Sequence, residues 1–139
     1  MADNVQQLRP KSPDSKKLTI NLGFVDLGHI DLMVRDGFYA NRADFIRTAV
    51  RNQLERQGEA VRQSVARKQL NLGLSHYTQQ DLEAARDTGT PLHIQVLGFA
   101  SIASDVTPEL TREAIASVEV LGAFQASPAV KAALADRTA

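Results

Sequence analysis

A chain of 139 residues with 43% apolar content is long enough for one compact domain or two very small ones, and its core cannot be large. The absence of cysteine removes disulfides, thiolate metal sites and a cysteine nucleophile together, and agrees with a reducing compartment. The zero net charge hides an asymmetry: residues 1–70 hold 12 Lys+Arg against 8 Asp+Glu, whereas residues 71–139 hold 4 against 8, so the first half suits a polyanionic partner.

Residues 1–15, with Pro10, Pro13 and several charges among few apolar groups, read as a flexible arm. The stretch from Met1 to Pro10 lacks the apolar segment of a secretory signal, and no window approaches the roughly 18 apolar residues of a membrane span; a cytoplasmic location is expected. From Lys17 to Leu22, apolar Leu18, Ile20 and Leu22 alternate with Lys17, Thr19 and Asn21, the period of a strand with one buried and one solvent-facing side. So short an edge needs a partner, and the simplest one is the same strand from a second copy.

Asp26 is expected to cap a helix running to about Asp36, with Gly37 as its left-handed terminator and Phe38 and Tyr39 closing the turn. Asn41 caps the next helix, and Asp44 stands in the acidic position of a capping box. Its apolar rows are Phe45 with Ala49, and Ile46 with Val50 and Leu54, which leaves Arg47 and Arg51 solvated or paired with Asp44 and Glu55. Residues 58–77 read as a helical or hinge linker, because Val61 and Val65 stand sparsely among Arg, Lys and Gln. Thr78 opens a further helix with Asp81 at its third position, continuing to Gly89.

The last fifty residues contain an imperfect repeat. Ile94-Gln95-Val96-Leu97-Gly98 recurs as Val118-Glu119-Val120-Leu121-Gly122, and each copy precedes a capped helix with proline at its first position, at Thr107-Pro108 and Ser127-Pro128. The spacing fits a leucine-rich-like or other solenoid repeat, or a small α/β tail with two similar hairpin-like units. Because two repeats seldom bury enough surface alone, this region is expected to pack across a dimer or larger assembly.

The order of alternating strand, Asp26-capped helix, Gly37 turn and Asn41-Arg42-x-Asp44-Phe45-Ile46-Arg47-x-Ala49 resembles the ribbon-helix-helix family of bacterial DNA-binding proteins, the Arc, MetJ and CopG type, over residues 16–57. The fold this implies is α+β: an intertwined homodimer with one strand and two helices per subunit, followed over residues 78–139 by a small α/β domain with two strand-helix repeats, suited to oligomerisation or ligand sensing. The resemblance assigns Lys17, Thr19 and Asn21 to base edges of the major groove, and Asn41, Arg42 and Ala43 at a helix N-terminus to phosphate. The chemistry suits both assignments, since Lys donates to guanine, Asn pairs with adenine and free backbone N–H groups hold anions. Lys16, Lys11 and Arg9 would add nonspecific attraction. Leu18, Ile20, Leu22, Phe45, Ile46, Ala49 and Val50 would form the dimer core.

The function so implied is sequence-specific transcriptional regulation of double-stranded DNA, as a repressor. Two alternatives stay open: a scaffold or filament protein working through the repeats, and an antitoxin that clasps a toxin. No cofactor and no metal is expected, because His29, His76 and His93 stand far apart without ligand spacing. No enzymatic activity is expected either: Asp105 and Glu109 belong to a turn and a first helical turn, and the glycines form no phosphate loop.

Overall fold

The computed structural model describes residues 15–139, so the arm, with Arg9 and Lys11, lies outside the described residues apart from Ser15. Two compact units divide the chain, Met1–Asn52 and Gln53–Ala139.

In the first unit, residues 15–23 carry no regular secondary structure, and the strand expected over Lys17–Leu22 is therefore not formed within a single chain. The reason is local: the rest of the described unit is helix and turn, so nothing offers this segment a hydrogen-bonding ladder. Helix α1 spans Phe24–Arg35 and starts two residues before the expected cap. Gly23, extended at φ −63° and ψ 152°, is its N-cap without a side-chain bond, while Asp26 falls in the first turn, where a carboxylate favours the helix dipole. Gly37 takes φ +85° as expected. Its N–H bonds Val34 O at 3.1 Å and the Phe38 N–H bonds Met33 O at 3.0 Å, the paired closure of a Schellman turn.

Helix α2 spans Arg42–Arg56. The Asn41 side chain accepts the Asp44 N–H at 2.8 Å, and the Asp44 carboxylate accepts the Ala40 N–H at 2.9 Å, a capping box displaced by one residue. Tyr39 meets Phe45 edge to face with ring centroids 4.9 Å apart, fixing the turn against the helix. Ile30 is the one fully buried apolar residue among those described in this unit.

In the second unit, α3 covers Gly58–Lys68 and ends on Gln69 at φ +55°. The linker expected to extend through residue 77 stops there, because Asn71–Tyr77 is a strand, β1. With β2 (Leu92–Ile102) and β3 (Ile115–Gln125) it forms a parallel sheet in the order β1-β2-β3. Helices α4 (Gln79–Asp87) and α5 (Pro108–Ala114) cross between successive strands, and α6 (Pro128–Ala133) follows the last. The strand-helix unit thus occurs three times rather than the two expected, as in a short solenoid. Ile94 pairs with Val118 and Gly98 with Gly122, the register of the sequence repeat, while Gly73 pairs with Gly98 and supplies the unrecognised third copy.

The core lies on the helix side of this sheet. Leu82, Ile94, Val96, Ile115, Val118, Val130 and Leu134 are essentially inaccessible to solvent, each such burial contributing about 1.5–3 kcal/mol. Thr78 and Asp81 form a reciprocal capping box at α4, and Thr107 and Ser127 cap α5 and α6 in front of proline. Two arginines fasten the last turn: Arg112 Nη1 donates to Ala133 O and Asp136, and Arg137 Nη1 donates to the Arg112 and Ile115 carbonyls. The Ala139 N–H bonds Val118 O at 2.9 Å and covers part of the outer edge of β3.

Candidate nucleic-acid interface

Lys17, Thr19 and Asn21 are all exposed on the extended segment. Their apolar neighbours are exposed as well, Leu18 by 83%, Ile20 by 53% and Leu22 by 41%, which is costly for three such side chains unless something covers them. Beside this segment runs a groove of about 710 Å³ whose walls include Leu18, Ile20, Ile46 and Val50 and whose remaining lining includes Lys16, Lys17, Arg47 and Arg51. Phe45 and Ile46 are half-buried, while Ala49 and Val50 are exposed. The expected dimer-core residues therefore share one unit, but they do not close a core within one chain.

Arg47 and Arg51, expected to be solvated or paired, form no ion pair with Asp44 or Glu55 among the described residues. Asp44 is occupied by the backbone of Ala40 instead. The two arginines lie one helical turn apart, which places both along the same groove with Lys16 and Lys17. The sequence shows them as a basic row on α2, but acids at pairing distance along the same helix conceal their shared exposure to the groove.

At the start of α2, Asn41, Arg42 and Ala43 are exposed. Their backbone N–H groups belong to the first helical turn, where a partial positive charge collects. Arg42 is not free: its Nε donates to Asp31 Oδ1 at 2.7 Å and its Nη2 to Asp31 Oδ2 at 2.8 Å, a fork from α2 back to α1. This bond, together with the guanidinium charge, holds the Asp31 carboxyl below its usual range and raises Arg42 above its own. Asp31 is a residue that sequence reading missed. Its signal was faint, an acid in the middle of α1 eleven positions before the arginine it holds.

The histidines of the second unit are separately engaged. His76 Nδ1 lies 2.6 Å from Ser101 Oγ and His93 Nδ1 lies 2.8 Å from Ser117 Oγ, each across a strand pair. Among the described residues no three His, Asp or Glu side chains are grouped as a metal ion requires, and no helix is long and apolar enough to cross a membrane.

The model of the ribbon-helix-helix transcriptional regulator family matches residues 13–131, and the chain belongs to that family. It is accordingly a DNA-binding transcription regulator by family. No curated protein and no solved structure matches it.

Proposed function

We propose that the chain acts as a homodimeric, sequence-specific repressor in which residues 17–22 of two copies pair as an antiparallel ribbon and enter the major groove. The observation that carries this reading is the alternation of residues 17–22 on a segment with no ladder partner in its own unit, next to a half-apolar, half-basic groove. A second copy of the segment supplies the ladder and covers Leu18, Ile20 and Leu22. Lys17, Thr19 and Asn21 then face the base edges, six readers for a palindromic site. The backbone N–H groups at Asn41–Ala43 hold phosphate, with the Nη1 of Arg42 still available because Asp31 engages only Nε and Nη2. The antitoxin reading gains nothing from the C-terminal unit, which is a folded sheet with capped helices rather than an unstructured tail.

Selection of bound sites from a random DNA pool, followed by gel shifts, tests the reading. Lys17→Ala, Thr19→Ala and Asn21→Ala together should abolish preference for the selected site while leaving the oligomeric state unchanged. Unaltered preference would refute the assignment of base contacts.

A further inference from the structure

The sheet of the second unit is built by one step repeated. Asn71 pairs with Val96 and Val96 with Val120, and the same step sets Gly73, Gly98 and Gly122 side by side. Each strand fits closely against the one before it: a Cβ at Gly98 would meet Gly73 O, and one at Gly122 would meet Gly98 O. At the two ends of the series this fit is half made. Gly73 holds φ +117°, a conformation that favours glycine, although nothing lies within 4 Å of the place its Cβ would take. Gly122 has the matching half, since carbonyls alternate sides along a strand and Val118, an even number of residues away, turns its oxygen outward to the Ala139 N–H.

From these two unmatched ends we infer that the outer edge of β3 takes β1 of a second copy of this chain as a further parallel strand, head to tail, with Val120–Gln125 of one copy beside Asn71–His76 of the next. Two features point to this occupant. The C-terminal segment bridges β3 at Val118 alone among the described residues, and β1, with 7 residues against 11 in β2 and β3, begins at the level of Val120, just past that bridge. The uncovered part of one edge therefore has the length and register of the other. Moreover, Gly73 O is turned to Gly98 and Gly98 O to Gly122, so the carbonyl of the series left to fill the space at Gly73 is that of Gly122. Two β1 strands paired about a two-fold axis would leave that space empty.

The junction repeats contacts that the sheet already makes. On the face away from the helices, Leu121 comes beside Leu72 of the next copy, Ala123 beside its Leu74 and Gln125 beside its His76, where a side-chain hydrogen bond can form as it does between His76 and Ser101. Leu72 is 75% and Leu74 80% exposed in the single chain, whereas Leu97 and Phe99, flanked on both sides, are half-buried. Neither Asn71–His76 nor Val120–Gln125 contains a lysine, an acid or a proline, the residues by which outer strands are ordinarily kept from pairing. Lys68, at the end of α3, lies 3.9 Å from Glu119 of β3, which draws the approach to β1 toward β3 and away from the free edge. A head-to-tail contact is open, and each added copy presents the same edge again, so association climbs with concentration instead of stopping at a pair.

The inference does not rest on DNA binding, and it is tested in full-length protein carrying Ile20→Asp, which removes the pairing proposed for the first unit. Two further changes block one edge each, Leu72→Pro on β1 and Val120→Pro on β3, both at N–H groups that turn outward, where proline takes no ladder bond from its own sheet. In sedimentation, the mass of the Ile20→Asp chain should rise with concentration, at least two-fold by the millimolar range. Each blocked variant should lose that rise, and an equimolar mixture of the two should regain a two-fold mass, because each keeps the edge that the other lacks. No rise in the Ile20→Asp chain, a mixture no heavier than its parts, or a Val120→Pro variant that still associates alone would overturn the proposal. A constant mass above one chain, common to all variants, would count against Ile20→Asp as a block of the ribbon and not against the junction, which is read from the rise. Should proline unfold the sheet by circular dichroism, Gly73→Ala decides: its Cβ meets nothing within a single chain but would strike Gly122 O of the preceding copy, so the rise should vanish while the sheet remains, and an undiminished rise would overturn the proposal.

Discussion

Replacing Gly98 by alanine brings a methyl group against the backbone of the neighbouring strand. The three glycines Gly73, Gly98 and Gly122 lie side by side across the sheet, each at positive φ, +117°, +139° and +126°. A Cβ built at Gly98 would sit 2.2 Å from Gly73 O and 3.1 Å from its carbonyl carbon, and one at Gly122 would sit 2.0 Å from Gly98 O. These are backbone atoms in a ladder and cannot swing aside as a side chain would. A Cβ at Gly73 meets nothing within 4 Å, because at Gly98 and Gly122 the added atom runs into the preceding strand of the sheet and β1 has none. Gly73→Ala therefore carries only the strained dihedral, about 1–3 kcal/mol. Gly98→Ala and Gly122→Ala add a displaced ladder, and losses above about 4 kcal/mol are expected, enough to unfold a small unit outright. Urea unfolding followed by circular dichroism, with hydrogen exchange of the β2 amides, measures the series. A Gly98→Ala variant no less stable than Gly73→Ala would refute the reasoning, since the same φ strain would then account for both.

Asp31→Ala should release Arg42 from its fork and remove one negative charge beside α2, giving tighter binding to unrelated duplexes and a log–log salt slope steeper by about one. A slope identical to that of the parent would show that the fork does not withhold Arg42 from phosphate. Thr78→Ala breaks the capping box of α4 and should cost about 1 kcal/mol in urea unfolding. Asp31, Asp81 and Asp136 are all held below the usual carboxylate range, by Arg42, by the Thr78 N–H and by Arg112 respectively. A depressed folded-state pKa gives stability that is complete above the unfolded value, about 3.9, and is lost as pH falls through the folded one. Thermal unfolding should therefore be flat near neutrality and fall only below about pH 4; a loss of stability beginning near pH 6 would contradict this account.

Helix boundaries and caps were legible wherever a polar side chain does the capping, as at Asn41, Thr78, Thr107 and Ser127, because those residues carry their reason in their own chemistry. The start of α1 was not, since a bare glycine caps it and Asp26 offers a competing cap two residues on. Strand β1 escaped because polar Asn71 and Ser75 occupy the sites that Val96 and Ala100 hold in β2, which hides the apolar alternation. Leu72-Gly73 nevertheless stands in register with Leu97-Gly98 and Leu121-Gly122, and that dipeptide was the available sign. At the candidate interface, side-chain types and alternation were readable, whereas the Asp31–Arg42 fork depends on the angle between two helices and no local pattern encodes it.

The first unit buries a single apolar side chain among its described residues and leaves Leu18, Phe24, Val25, Phe38 and Val50 more than half exposed. To the quality-control machinery of a cell, such a surface is indistinguishable from that of a damaged chain. A solitary copy is therefore expected to be degraded faster than one whose apolar groups are covered, which a pulse-chase at low and high expression would measure; equal half-lives would contradict it. The amount of regulator would then rise more steeply than its rate of synthesis, and a sharp threshold would need no feedback circuit.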